Sequence, residues 1–108
     1  ADTPAHALAM QSEPFAPVAL VSRFTTLEDG LARANNSPYG LAAYAFTRSA
    51  ATAVAVGEGL EAGGIGINSF AVSHVEAPFG GLKDSGYGHE GGSEGLEAYM
   101  HQKYIHHA

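Results

Sequence analysis

Leu41-Ala42-Ala43-Tyr44-Ala45-Phe46, then Ser49 ahead of Ala53, Val54, Gly57 and Leu60, then Gly63-Gly64 and Ile65-Gly66-Ile67-Asn68 decide the fold. The first run is apolar throughout and of strand length. Ser49 is placed to cap a helix, because its hydroxyl can accept one of the free amides of a first turn. Ala53, Val54, Gly57 and Leu60 share one face at helical period, and Gly63-Gly64 stops the helix. Ile65, Ile67 and Phe70 then indicate a further strand near Asn68.

Upstream, Val18-Ala19-Leu20-Val21 behind Pro17 is a continuous apolar run and reads as an earlier strand, buried on both faces. Thr25 and Glu28 stand three apart, the spacing of a capping box. Leu27, Leu31 and Ala34 share the face of the helix that follows, which ends at Asn35-Asn36. Strand, helix, strand, helix, strand implies right-handed crossovers and a parallel sheet. The expected fold class is therefore α/β, a partial parallel sheet in βαβαβ order.

Residues 69–92 carry a long glycine-rich loop, including Pro78-Phe79-Gly80-Gly81 and Gly86-Tyr87-Gly88. Structureless stretches of this length in a domain are usually functional or disordered. A short helix is expected after Ser93, with Leu96, Tyr99 and Met100 on one face. Tyr104 and Ile105 form a last strand with no partner in the unit, and an exposed strand edge invites another chain. The opening residues 1–12 show no periodicity.

The chain has 108 residues, 45% hydrophobic and 15% charged, which places it among globular chains with a single core rather than among disordered ones. Five basic residues, Arg23, Arg33, Arg48, Lys83 and Lys103, are scattered against eleven acidic ones, for a formal charge of −6. No basic surface can be built from them to track phosphates, so nucleic acid is not an expected partner. No apolar run reaches the roughly 18 residues of a membrane span, and no signal-peptide pattern opens the chain; a cytoplasmic setting is expected. There is no cysteine, which excludes disulfides, thiolate metal sites and a cysteine nucleophile within these residues.

Gly86-Tyr87-Gly88-His89-Glu90-Gly91 matches the dinucleotide fingerprint in letters but lacks its context, a preceding strand and an acidic residue about 20 positions on. Glycines that permit tight turns explain it better. Gly81 to Gly86 has P-loop spacing, but Tyr87 stands where the lysine must be. Six histidines (His6, His74, His89, His101, His106, His107) offer no zinc-binding spacing, and no metal is expected. Glu58 with Glu61, and Glu94 with Glu97, share helix faces and are most simply solvated charge. Asn35-Asn36-Ser37 fits a glycosylation sequon that nothing else in the sequence supports.

Four ordered blocks resemble the aldehyde dehydrogenase family: Glu13-Pro14-Phe15-Ala16-Pro17-Val18, Ala34-Asn35-Asn36-Ser37-Pro38-Tyr39-Gly40-Leu41, Gly64-Ile65-Gly66-Ile67-Asn68, and Pro78-Phe79-Gly80-Gly81-Leu82-Lys83-Asp84-Ser85-Gly86. The resemblance runs from about Met10 to the end and corresponds to the C-terminal portion of such an enzyme. It implies that Glu13 holds the nicotinamide ribose hydroxyls and that Phe15 contacts the nicotinamide ring, roles suited to a carboxylate acceptor and an aromatic face. Ala16 stands where the family usually has glycine. Ser73-His74-Val75-Glu76-Ala77-Pro78-Phe79 is similar in wording to succinate-semialdehyde dehydrogenases, which implies that Ser73 helps bind a distal substrate carboxylate and Phe79 walls the aldehyde funnel. Glu90 matches a glutamate associated with proton movement, and His89 replaces the usual arginine before it.

The resemblance further implies that residues 1–100 belong to a catalytic domain and that residues 101–108 are an oligomerisation strand pairing with another subunit, in a homo-oligomer. Its implied activity is NAD- or NADP-dependent oxidation of an aldehyde, with succinate semialdehyde as a candidate, to a carboxylate through a cysteine thioester. That cysteine lies outside these residues, so the isolated chain is expected to be inactive. The alternative is a non-catalytic assembly or binding module that pairs with an intact subunit; a weaker one is an unrelated small α/β domain whose glycine loop binds an anion.

Overall fold

Ser49 holds an extended backbone (φ −93°, ψ 120°) and its hydroxyl accepts the Thr52 amide at 3.2 Å, starting the helix that the sequence places there. The computed structural model describes residues 3, 4 and 6–108. Among them the elements are α1 (Leu8–Gln11), α2 (Leu27–Asn35), β1 (Tyr39–Gly40), β2 (Ala42–Ala45), α3 (Ala50–Gly59), β3 (Gly64–Ile67) and β4 (Leu82–Lys83), followed by a short 3-10 helix, Glu94–Tyr99.

The centre of the fold is the β2–α3–β3 crossover. β2 and β3 pair in parallel, with Ala42 opposite Gly64, Ala43 opposite Ile65, Tyr44 opposite Gly66 and Ala45 opposite Ile67. Asn68 extends the pairing: its amide reaches Ala45 O at 2.8 Å, while its side chain accepts from the Thr47 amide at 2.8 Å and donates to Thr47 O at 2.9 Å. It does so in the left-handed region, φ 54°, which asparagine tolerates better than most residues. A separate antiparallel pair joins β1 to β4, Tyr39 to Lys83 and Gly40 to Leu82.

Several expectations are corrected. Residues 18–21 form no strand; Val18 and Val21 are 56% and 63% exposed. A run that is apolar on both sides becomes a strand only where a neighbour supplies a ladder and both faces are covered, and here neither is present. The βαβαβ order therefore contracts to one parallel β–α–β unit and one antiparallel pair. Helix α2 is capped by Thr26, whose hydroxyl accepts the Asp29 amide at 3.2 Å, rather than by Thr25 with Glu28. The short C-terminal helix is of the 3-10 kind, and Ser93 makes no side-chain cap to it. Residues 101–108 are irregular, with Tyr104 and Ile105 87% and 77% exposed, so no ladder within the described chain makes a strand of them.

Packing departs further from the single core expected. Val56, 6% exposed, is the one buried apolar side chain among the described residues. The accessible surface is 8661 Å², roughly half as much again as the ~5,700 Å² of an ordinary folded monomer of this mass. The radius of gyration is 17.8 Å, where ~13 Å is usual for a compact domain of this length. Helix α3 also turns a different face inward than expected: Val56 is buried while Val54 is 59% exposed. Its sequence, AATAVAVGEG, is apolar nearly all round, so periodicity could not fix the buried side.

Candidate active-site clefts

The glycine-rich loop after β3 is held by backbone pairing. Phe79 and Glu90 exchange two hydrogen bonds as an isolated antiparallel bridge, Phe79 N to Glu90 O at 2.7 Å and Glu90 N to Phe79 O at 2.8 Å. Two residues further on, the Gly92 amide donates to Val75 O at 2.9 Å, which fixes the segment that follows Ser73. The bridge requires Gly91 and Gly92, at φ 69° and 59°: a Cβ on Gly91 would lie 2.6 Å from Ala77 O in a conformation that L side chains rarely adopt. At the base of the loop, Gly80 O presses on Gly63 at the entrance to β3, where any side chain would collide.

Phe79 and Glu90 line one cleft of about 360 Å³, together with Leu41, Ser85, Tyr87 and His89. Glu90 is exposed and Phe79 half-buried, with the Phe79 ring beside Gly64 of β3. A second cleft of about 240 Å³ is lined by Glu13, Asn35, Ser37, Tyr39, Glu61 and Ser85. Glu13 contributes to this second cleft and not to the first. Phe15 is 97% exposed and Ser73 is exposed on the loop between β3 and Phe79; neither lines either cleft. The structure thus brings Phe79 and Glu90 together and leaves Glu13, Phe15 and Ser73 apart from them.

A polar hub between the clefts was not read as functional from the sequence. The Asn35 side chain donates to Gly59 O at 2.7 Å and accepts the Glu61 amide at 2.9 Å, tying the ends of α2 and α3. Lys83 Nζ donates to Asn35 O at 2.8 Å and Ser37 O at 3.2 Å and pairs with Glu61 at 2.7 Å. The Gly40 amide donates to Ser85 Oγ at 2.9 Å. The one available signal was that Asn35, Lys83 and Ser85 all fall inside the blocks quoted above. Among the described residues no group of three His, Cys, Asp or Glu side chains is arranged to hold a metal, and no helix is long and apolar enough to cross a membrane. Gly86 and Gly88 have positive φ, 114° and 86°, in the irregular stretch that follows β4.

A parallel β–α–β unit with a glycine-rich loop folded against it places the chain among α/β proteins. The chain belongs to the aldehyde dehydrogenase family, whose sequence pattern matches residues 1–105. It is 52% identical over 106 residues to 4-(hydroxymethyl)benzenesulfonate dehydrogenase TsaD1 of Comamonas testosteroni, covering 98% of this chain and 22% of that one. It is 47% identical over 105 residues to a succinate-semialdehyde dehydrogenase of Paenarthrobacter nicotinovorans, covering 97% of this chain and 23% of that one. The crystal structure of an E. coli NADP-dependent enzyme superposes with a TM-score of 0.89 at 44% identity, over 96% of this chain and 22% of the other. The chain therefore spans about a fifth of the length of the relatives it matches.

Proposed function

We propose that this chain is the C-terminal portion of an NAD- or NADP-dependent aldehyde dehydrogenase that oxidises an aldehyde to a carboxylate through a cysteine thioester. The observation that supports this is the Phe79–Glu90 bridge, which brings these two residues to one cleft in a chain of this family. Phe79 lines the aldehyde path, and Glu90, its backbone committed to the bridge, has a free carboxylate that can accept and pass a proton. Ser73, a hydroxyl donor, suits an anionic substrate tail, which makes succinate semialdehyde the first aldehyde to try.

The residues present fit one end of a nicotinamide nucleotide. Glu13 is an exposed carboxylate on the second cleft, able to accept from both ribose hydroxyls, and Phe15, two residues on, presents a free aromatic face. Such a cofactor supplies the hydride acceptor when bound. The nucleophile must come from outside these residues, since none of them is cysteine. Residues 1–100 act as part of a catalytic domain and residues 101–108 pair with a second subunit in a soluble, cytoplasmic homo-oligomer.

The test is to read the coding sequence immediately upstream. A frame that continues through a cysteine and a nucleotide-binding domain, and whose product reduces NAD or NADP with succinate semialdehyde while the 108-residue chain does not, supports the reading. An open frame without either part rejects it. One observation favours a second reading, an assembly module docking on an intact subunit: the excess of exposed surface. Capture of an intact family member by this chain in the absence of any upstream frame would select it.

A further inference from the structure

Ser85 stands where the two clefts share a wall, with Glu13 and Glu61 on one side and Phe79 and Glu90 on the other. Its Oγ accepts the Gly40 amide at 2.9 Å, and its own amide donates to Leu82 O at 3.2 Å. Gly40 is buried, and its carbonyl accepts the Gly63 amide at 3.0 Å, so the Ser85 hydroxyl joins the glycine-rich loop to the entrance of β3 through β1. The Cβ of Ser85 lies 2.6 Å from where a Cβ on Gly81 would stand, which leaves it seated against the Gly80-Gly81 turn. One residue later Gly86 adopts φ 114° with open space around it. Ser85 is thus an anchored residue at the point where the chain leaves the sheet for the turns that lead to Glu90.

We propose that Ser85 is a positioning residue whose hydroxyl holds the wall common to both clefts, so that a single hydrogen bond sets the affinity for the cofactor and for the aldehyde together. The proposal rests on the functional reading above, which places the cofactor at Glu13 and the aldehyde at Phe79. Removing the hydroxyl takes away the bond that ties the amide of buried Gly40 to residue 85, so that the wall is held there by the β1–β4 pairing alone and can shift. Both clefts then change shape at once, although neither ligand needs to touch Ser85.

The test is steady-state kinetics of the active parent enzyme with succinate semialdehyde and its nicotinamide cofactor. Ser85→Ala is expected to raise KM for both ligands by roughly five- to thirtyfold, the range that loss of such an acceptor spans, with kcat unchanged. Ser85→Thr, which keeps the hydroxyl, is expected to restore both. Ser85→Cys, of similar volume but a weak acceptor, is expected to behave as alanine does and serves if alanine fails to fold. A serine that only stabilises the fold would lower the active fraction, and so kcat, with both KM values unmoved; that result overturns the proposal. So does a rise in KM for one ligand alone. No aldehyde oxidation by the unmodified parent would instead remove the functional reading itself, and this proposal with it.

Discussion

Lys83 Nζ lies 2.7 Å from Glu61 Oε2 and at the same time donates to the carbonyls of Asn35 and Ser37, so one ammonium joins β4 to the ends of both long helices. The backbone of Lys83 is in the left-handed region, φ 55°, unusual for a side chain of this kind, and the three contacts hold it there. The bonds to carbonyls matter more than the ion pair. Glu61 is 57% exposed, and an exposed pair contributes less than ~1 kcal/mol, whereas a charged donor to a carbonyl contributes about 1.5–3 kcal/mol. Lys83→Met is therefore expected to lower the unfolding free energy by about 2 kcal/mol and Glu61→Gln by less than about 1 kcal/mol, read from urea midpoints. Equal losses would mean that the ion pair, not the carbonyl bonds, carries the hub.

Asn35 uses both ends of its side chain, donating to Gly59 O and accepting the Glu61 amide. Asn35→Ala strands two polar partners in a half-buried place and is expected to cost about 1–3 kcal/mol, whereas Asn36→Ala, one residue on and exposed, is expected to cost much less. The same geometry bears on the sequon: the amide nitrogen that a glycan would need is committed to Gly59 O. Secretory expression of the chain is expected to give no mass increase at Asn35, checked by mass spectrometry before and after deglycosylation.

The crossover was legible because the Ser49 cap and the two flanking apolar runs are local signals that agree with one another. Asn35 ended its helix, as read, for a similar reason. Residues 18–21 misled because an apolar run reports only that burial is wanted, while a strand needs a neighbouring ladder as well. The capping site slipped by one because Thr25 and Thr26 are adjacent and Glu28 and Asp29 both follow, so sequence spacing alone admits either register. In the site, the Phe79–Glu90 contact was not legible: ten residues lie between them, and the pairing depends on left-handed glycines at 91 and 92 that letters alone do not assign. Lys83 and Ser85 act through bonds to distant backbone, which no local pattern records.

Gly91 and Gly86 separate strain from collision. Both have positive φ, but a Cβ at Gly86 meets open space, while one at Gly91 runs into Ala77 O at 2.6 Å. Gly86→Ala is expected to cost about 1 kcal/mol of backbone strain only. Gly91→Ala is expected to cost more and to open the bridge, so that the amides of Phe79 and Glu90 lose protection in hydrogen exchange. Equal protection in the two variants would show that the bridge does not depend on the Gly91 turn.

Phe15 and Glu13 offer a stability-neutral test of the cofactor reading. Phe15 is 97% exposed and Glu13 is exposed, so Phe15→Ala and Glu13→Gln are each expected to change folding stability by no more than about 0.5 kcal/mol. In the parent enzyme each is expected to weaken nicotinamide cofactor binding by about tenfold, measured by titration of the reduced cofactor's fluorescence. Unchanged affinity in both variants would remove these two residues from the cofactor site while leaving Phe79 and Glu90 untouched.

Val56 and Val54 test which side of α3 faces inward. Both are valines of one helix two positions apart, so propensity is constant and only environment differs. Val56 is 6% exposed against the sheet, and removing two methyl groups there is expected to cost about 2 kcal/mol through lost transfer energy and a residual cavity. Val54, at 59% exposure, is expected to tolerate alanine within about 0.5 kcal/mol, and the better helix propensity of alanine offsets part of even that. If Val54→Ala proves the more costly in the isolated chain, the inward face of α3 is the one that residues 53, 54, 57 and 60 share, and the helix is rotated from the position described. If the order holds in the isolated chain but Val54→Ala becomes costly in the parent enzyme, the exposed side of α3 is covered there by another part of the protein, which would account for part of the large free surface of this chain.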